Sequence, residues 1–188
     1  MRHKYATEAI VLGRTQLGEA SSLVSLLTNE LGLIRARAQG VRKPGAKLSA
    51  ALTTLAESDV ILVKGKEGWR LSGAILAHDH FADLGAKSRE RAGRIATLML
   101  RILTESGNEG TYHLYKSYLE TLGTLNEEEQ DALETLAALY LLQEAGLDAG
   151  EVVPQGDGKY GKEAREYALG KRKELITRIN RGIEASGL

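Results

Sequence analysis

Few residues of this 188-residue sequence have the types and spacing that catalysis or metal binding requires. His78-Asp79-His80 brings two imidazoles and a carboxylate together, but no second His and acid cluster completes a four-ligand set, which favours a hydrated strand end. The segment 40–47 has glycines at the spacing of a phosphate loop, yet Ala46 stands where that loop needs its lysine. The chain has no cysteine, which excludes thiol nucleophiles, zinc ribbons and iron–sulfur clusters. We therefore predict no enzyme, no metal site and no cofactor.

The strongest chemical signal is a run of cations without acids. No Asp or Glu lies between Glu30 and Glu57, and that interval contains five basic residues: Arg35, Arg37, Arg42, Lys43 and Lys47. Residues two apart on a strand share a face, so Arg35 and Arg37 are predicted to point outward while Ile34, Ala36 and Ala38 line an interior. Such a row suits phosphate binding, because each neutralised phosphate releases counterions. The plain alternative is a solvated strand face.

The hairpin that follows extends this surface. Lys64, Lys66 and Arg70 lie on either side of a glycine-containing turn and are predicted to face the same way as the arginines. Trp69 and Tyr5 are the large aromatic residues before Phe81. Either ring could stack a nucleic-acid base, although a single strand tryptophan more often belongs to the core.

The elements that must position these residues change type near residue 80. Short β-branched runs over 8–14, 22–28, 33–39, 59–63 and 69–76 predict five strands, closed into a small barrel or left as an open meander. Apolar residues then recur with helical spacing, and Asn126 with Glu129 predicts a capping box at a helix start. We expect an α+β protein with domains 1–80 and 81–188, a Gly-rich loop at 150–161 and one last helix over 162–181.

Net charge differs between the segments. Residues 1–80 carry +4, residues 81–150 carry −6 and residues 151–188 carry +2, within a chain of zero formal charge. A polyanion site must therefore be a local patch. No apolar run is long enough for a membrane span or a signal peptide, so we expect a cytoplasmic protein that is not bound to a membrane.

Several stretches of the first 80 residues occur in an order that resembles one family, the bacterial RecO proteins of DNA repair and recombination. The stretches are EAIVLGR at 8–14, LGE at 17–19, LLTNELG at 26–32 and RARAQGVRKP at 35–44. Residues 5–76 are similar to the N-terminal OB-fold of that family. Beyond residue 80 only the order of elements is similar, a helical bundle after the barrel.

The resemblance implies a protein without catalytic activity that binds single- and double-stranded DNA and anneals complementary strands. It also implies that the protein works with RecR, contacts the acidic, apolar C-terminal tail of the single-strand-binding protein, and assists recombinase loading indirectly at the nucleoid. Arg14, Arg35, Arg42 and Lys43 match basic positions of the family's barrel. Arg37, Lys47, Lys64, Lys66 and Arg70 are added from strand geometry alone.

Three features depart from the family. Gln39 stands where relatives have lysine, 52–55 reads LTTL in place of Leu-Gln-Pro-Phe, and the segment 150–161 lacks the four-cysteine zinc module. A small apolar pocket with a basic rim for a partner is predicted in the helical part, from Lys116 beside Tyr112 and Tyr115 or from Arg101 beside Leu98. The alternative places these tyrosines in the bundle core.

Two other functions fit the same sequence. A protein-interaction adaptor with little DNA affinity would suit the zero net charge and the missing lysine at Gln39. An RNA-binding OB module would share the electrostatics of the DNA-binding one.

Overall fold

A computed structural model of the chain describes residues 3–18, 21–39, 47–105 and 109–187, with the backbone alone for Lys47 and Glu109. The first part contains five strands, β1 (Lys4–Gln16), β2 (Ser21–Thr28), β3 (Gly32–Gln39), β4 (Ala56–Gly65) and β5 (Gly68–Asp79). All five predicted strands are present, and each is longer than its apolar centre because pairing continues into polar residues. A short helix, α1 (Lys47–Ala51), lies between β3 and β4 and was not foreseen.

The strands form a closed barrel in the order β1-β2-β3-β5-β4. The 13-residue β1 is long enough to pair with both β2 and β4, and a bulge between Val11 and Gly13 bends it between the two partners. The parallel pairing of β3 with β5 at Ala36 and Arg37 closes the ring. The predicted α+β class and the barrel are confirmed, and the open meander is excluded.

The barrel is filled by alternate residues of its strands. Ile34, Ala36 and Ala38 belong to its core, as their positions in the sequence predicted, together with β2 and β4 residues such as Leu26 and Leu62. Leu48 of α1 packs against the same cluster, and the Ser58 hydroxyl donates to the Ala51 carbonyl at 2.8 Å. The odd-numbered residues of β3 are thereby left facing outward.

The chain folds as two units. The barrel unit comprises Met1–Asp83 with Thr104–Tyr112, and the helical unit comprises Leu84–Leu103 with His113–Leu188. Short helix α2 (His80–Asp83) ends the first stretch of the barrel unit. Five further helices follow along the chain: α3 (Ala86–Ile102), α4 (Glu109–Leu122), α5 (Glu127–Glu144), α6 (Lys162–Gly170) and α7 (Arg172–Ala185).

Helix α5 is the centre of the helical unit, because α3, α6 and α7 all pack on it. Its predicted capping box is confirmed: the Asn126 side chain accepts from the Glu129 amide, and the Glu129 carboxylate accepts from the Asn126 amide. The single predicted helix over 162–181 is instead two helices. Lys171, after Gly170, leaves helical geometry with φ −108° and ψ 14°.

The Gly-rich segment before α6 is held by side chains. The Arg178 guanidinium on α7 contacts the Asp148 carboxylate at 2.6 Å, and the Tyr140 hydroxyl donates to the Lys159 carbonyl at 2.9 Å. The Asp157 carboxylate accepts from the Lys162 amide at the start of α6. Among the helices of the described ranges, none has the length and apolar composition to cross a membrane.

Candidate nucleic-acid interface

The outer face of the β3–β5 pair brings two arginines together. Arg37 lies opposite Arg70 in the parallel register, and both side chains are exposed. Their orientation follows from alternation, since Ala36 and Ala38 on either side of Arg37 are buried in the barrel core. Arg35, two residues earlier on β3, lies on the same face and is half-buried. The structure thus joins predicted residues that are 33 positions apart in the sequence.

The same outer face continues to a residue that the sequence did not indicate. Arg70 pairs with Val63 on β4, and Val63 pairs with Lys4 on β1, so Lys4 shares the outward direction of Arg70. We call Lys4, Arg35, Arg37 and Arg70 the basic row. Lys4 is 31 residues before Arg35, and only the pairing of β1 with β4 brings it alongside. A strand prediction that began at Lys4 would have indicated its direction.

A concavity of about 880 Å³ lies beside the basic row, at the β4–β5 hairpin. Gly68 allows the tight turn because its φ of 99° is unfavourable for other residues. Cations dominate the charged lining, with Glu67 as the acid among them: Lys4, Lys64, Lys66, Glu67 and Arg70. The predicted hairpin residues Lys64 and Lys66 are therefore next to the basic row. The predicted direction of Lys64 is corrected, because its pairing with Trp69, itself opposite the core residue Ala36, puts it on the inner face of the sheet.

Three side chains cluster at the same end of the barrel. The rings of Tyr5 and Trp69 meet edge to face with centroids 5.2 Å apart, and the Lys64 ammonium lies 5.3 Å from the Trp69 ring centroid. Trp69 is half-buried against the barrel core, whereas Tyr5 is 36% exposed. We call Tyr5, Lys64 and Trp69 the aromatic cluster.

The basic surface has a limit along the barrel. Four residues beyond Lys4 on β1, Glu8 lies opposite Asp59 of β4, and both carboxylates are exposed. Two acids facing each other repel a phosphate backbone. The cationic region of the described outer face is therefore confined to the hairpin end.

The other predicted barrel residues lie elsewhere. Arg14 is exposed, but its cross-strand partner is Val24, a core residue, so it shares the inner face of the sheet and not the face of Arg37. Arg42 and Lys43 lie outside the described residues. Lys47 begins α1, and its side chain is also outside them.

The predicted partner pocket is corrected at its two tyrosines. Tyr112 and Tyr115 are both 0% exposed, so neither ring can line a pocket open to a partner. The Tyr112 hydroxyl donates to Glu57 at 3.2 Å, and burial together with the negative charge of Glu57 raises the pKa of Tyr112. The Tyr115 hydroxyl donates to the Ala92 carbonyl at 2.9 Å. Lys116 is partly exposed beside them in the sequence.

Arg101, the remaining residue of that prediction, does line an open groove. The groove has a volume of about 690 Å³ and runs along α3, α5 and α7 of the helical unit. Arg101 and Arg172 have no acidic partner in the described part of the chain, whereas Arg94 is paired with Glu134. The apolar lining comes from all three helices: Ile95, Leu98, Ala138, Ile179 and Ile183. The charged lining of the groove is mixed, since Glu90, Asp131 and Glu134 line it together with Arg94, Arg101 and Arg172.

The strand order of the closed barrel and the helix between β3 and β4 define a protein of the OB-fold class. Residues 1–78 match the family described as "Recombination protein O N terminal". Along almost its full length the chain is also similar to a protein named DNA repair protein RecO. The resemblance seen in the sequence is confirmed.

Individual relatives differ in how much they share. A DNA repair protein RecO of Dehalococcoides mccartyi is 29% identical over 191 residues, covering 99% of this chain and 68% of that protein. The RecO of another strain of this species is 47% identical over 64 residues, covering 34% of this chain and 25% of that protein. The RecO of Synechococcus elongatus is 37% identical over 97 residues, 52% of this chain and 36% of that protein.

Proposed function

We propose that this protein is a DNA-binding mediator of repair and recombination that acts without catalysis. In this proposal it holds single and double strands on the basic row and anneals complementary strands. The relatives named DNA repair protein RecO support a role in DNA repair and recombination. The observation that carries the proposal is the alignment of Arg37 with Arg70 on the outer face of an OB-fold barrel.

Electrostatics supports a polyanion as the ligand. Neighbouring strands lie about 4.8 Å apart, so two guanidiniums in register on β3 and β5 repel each other in the free protein. Neither Arg37 nor Arg70 has an acidic partner within the described ranges that would relieve this repulsion. A phosphate backbone lying across the two strands would relieve it at both positions.

A second part of the proposal concerns a protein partner, which would bind in the groove of the helical unit. A peptide end with acidic and apolar residues would place its carboxylates at Arg101 and Arg172 and its apolar side chains on Leu98, Ile179 and Ile183. The C-terminal tail of the single-strand-binding protein has this chemistry. We propose that tail binding here, together with RecR, assists recombinase loading at the nucleoid.

DNA binding is tested by fluorescence anisotropy with labelled oligothymidine across a salt series. The Arg37→Gln/Arg70→Gln variant should lose about 1.4 units of salt slope and bind about 25-fold more weakly at 0.1 M salt, since each single-strand phosphate contact contributes about 0.7 units. The control Lys162→Gln/Lys173→Gln makes the same change in net charge on exposed residues of α6 and α7. Equal losses in both variants would contradict the proposed site.

The same titrations separate the proposal from its alternatives. An RNA strand that displaces the DNA at lower concentration than unlabelled DNA would identify an RNA-binding module. An adaptor would bind neither nucleic acid at low salt. Tail binding is tested with a labelled tail peptide and Arg101→Glu/Arg172→Glu, for which we expect loss of binding, whereas Lys162→Gln/Lys173→Gln should bind as the wild type does.

A further inference from the structure

The aromatic cluster gives the proposed interface a second way of holding a nucleic acid. We propose that Tyr5, supported by Trp69, stacks one unpaired base and makes the barrel prefer single strands with bases over duplex DNA. This inference rests on the proposed function, because the strand must first be held by the basic row. The ligand class is a single-stranded polynucleotide with an accessible base.

Tyr5 has the exposure and the support that a stacking residue needs. Its side chain is 36% exposed, and the edge-to-face contact with Trp69 fixes the two rings relative to each other. Trp69 is itself fixed because it packs on the barrel core. A rigid ring loses little conformational entropy when a base stacks on it.

The cluster also lies where a bound strand would pass. Tyr5 follows Lys4 directly, and Trp69 precedes Arg70, so each ring is adjacent in the chain to a cation of the basic row. Alternation along β1 and β5 turns the cations to the outer face and both rings, whose cross-strand partners Leu62 and Ala36 are core residues, to the inner face at the hairpin end of the barrel. Lys64 connects the two sets, because its ammonium lies over the Trp69 ring and it lines the same concavity as Lys4 and Arg70. A backbone that follows this concavity around the hairpin end therefore comes close to the rings.

Lys64 adds charge to the same cluster. Its ammonium lies 5.3 Å from the Trp69 ring centroid and lines the hairpin concavity, within which Lys66 and Arg70 also lie. A phosphate attached to the stacked nucleotide would therefore meet cations on the hairpin side. In duplex DNA the bases are paired and stacked within the helix, so the ring has no base to accept and only the cations contribute.

The test compares two single strands that differ only in having bases. Labelled oligothymidine and an abasic strand of equal length carry the same phosphates, so their difference in affinity isolates the base contact. We expect the wild type to bind oligothymidine at least about fivefold more tightly than the abasic strand. Tyr5→Leu should lose this difference and keep the salt slope, while Tyr5→Phe should retain it.

Two further measurements exclude trivial causes. Far-UV circular dichroism and thermal melting of Tyr5→Leu check that the barrel is intact. The chain has a single tryptophan, so quenching of its fluorescence reports on this cluster. Oligothymidine should quench it more strongly than the abasic strand does.

The outcomes separate the stacking inference from the proposed function. If the wild type binds both strands equally, or if Tyr5→Leu loses equal affinity for both, the stacking inference is overturned while DNA binding stands. If the wild type binds neither strand nor duplex at low salt, both are overturned. Arg37→Gln/Arg70→Gln should weaken both strands alike and reduce the salt slope.

Discussion

The two units of this protein differ in how many of their cations are paired with carboxylates. In the helical unit, several arginines and lysines are joined to carboxylates: Arg91 and Arg94 pair with Glu134, Arg178 with Asp148, and Lys87 with Glu127. Arg101 and Arg172 have no such partner in the described part of the chain. In the barrel unit, Arg37, Arg70, Lys4 and Lys66 have no ion-pair partner within the described ranges. Cations with partners hold helices together, and cations without partners remain available to an external anion. The net charge of a segment alone would not distinguish paired cations from unpaired ones.

The largest expected effect on stability comes from breaking the buried pair of Asp148 and Arg178. Asp148→Asn should lower the free energy of unfolding by about 3 kcal/mol, because it leaves the Arg178 guanidinium buried without its counter-charge. The two side chains are 8% and 12% exposed. Urea denaturation followed by circular dichroism measures the loss. DNA affinity should be unchanged, and a parallel loss of binding would contradict the comparison.

That pair also has a defined pH dependence. Hydrogen bonds from Arg178 hold the pKa of Asp148 below its ordinary value. A carboxylate whose pKa is lower in the folded state contributes stability above its unfolded pKa of about 3.9 and loses it as the pH falls below. The difference in stability between the wild type and Asp148→Asn should therefore be full at pH 7 and shrink from about pH 4 downward. A constant difference would show that packing, not charge, is responsible.

A smaller effect is expected at the less buried network between α3 and α5. Glu134 accepts from Arg91 at 2.8 Å and from Arg94 at 2.6 Å. Glu134→Gln should lower the free energy of unfolding by about 1–2 kcal/mol, because charged hydrogen bonds become neutral ones while Asp131 still pairs with Arg91. Denaturant titration of the variant, with Glu128→Gln as an exposed control, checks this.

Removing the capping box of α5 should lower the free energy of unfolding by a comparable or smaller amount. Asn126→Ala removes the acceptor of the Glu129 amide and should cost about 1 kcal/mol. Asn126→Asp keeps that acceptor and should retain the stability. Both are compared by the midpoint of urea unfolding, and an equal loss in the two variants would exclude the cap as its source.

The smallest effect on stability is expected for the double variant of the basic row that should lose the most DNA affinity. Arg37→Gln/Arg70→Gln should change the free energy of unfolding by no more than about 0.5 kcal/mol, since both side chains are exposed and unpaired within the described ranges. Relief of their mutual repulsion should make the sign stabilising. A loss of more than about 1 kcal/mol in the same urea assay would show that these arginines are structural, which would remove the contrast between the units.

Much of the barrel could be predicted from the sequence because the alternation of apolar and polar residues along a strand indicates which of its faces is buried. Ile34, Ala36 and Ala38 alternate with charged residues, and their burial confirms the predicted interior. Helix α1 was missed because Lys47–Ala51 has only five residues, too few for a helical period to appear. Tyr112 and Tyr115 were ambiguous, because a helical stripe of tyrosines has the same spacing in a core and in a pocket.

The sequence by itself determined the resemblance to the RecO proteins, the five strands, the capping box and the outward direction of Arg35 and Arg37, because each depends on residues close together in the chain. Only the tertiary structure decided which cations meet. Lys4 joins Arg37 and Arg70 because β1 pairs with β4, β4 with β5 and β5 in parallel with β3. Barrel closure sets that register through contacts between residues far apart in sequence. Likewise, only helix packing decided which arginines of the helical unit found carboxylates and which, like Arg101, lined a groove.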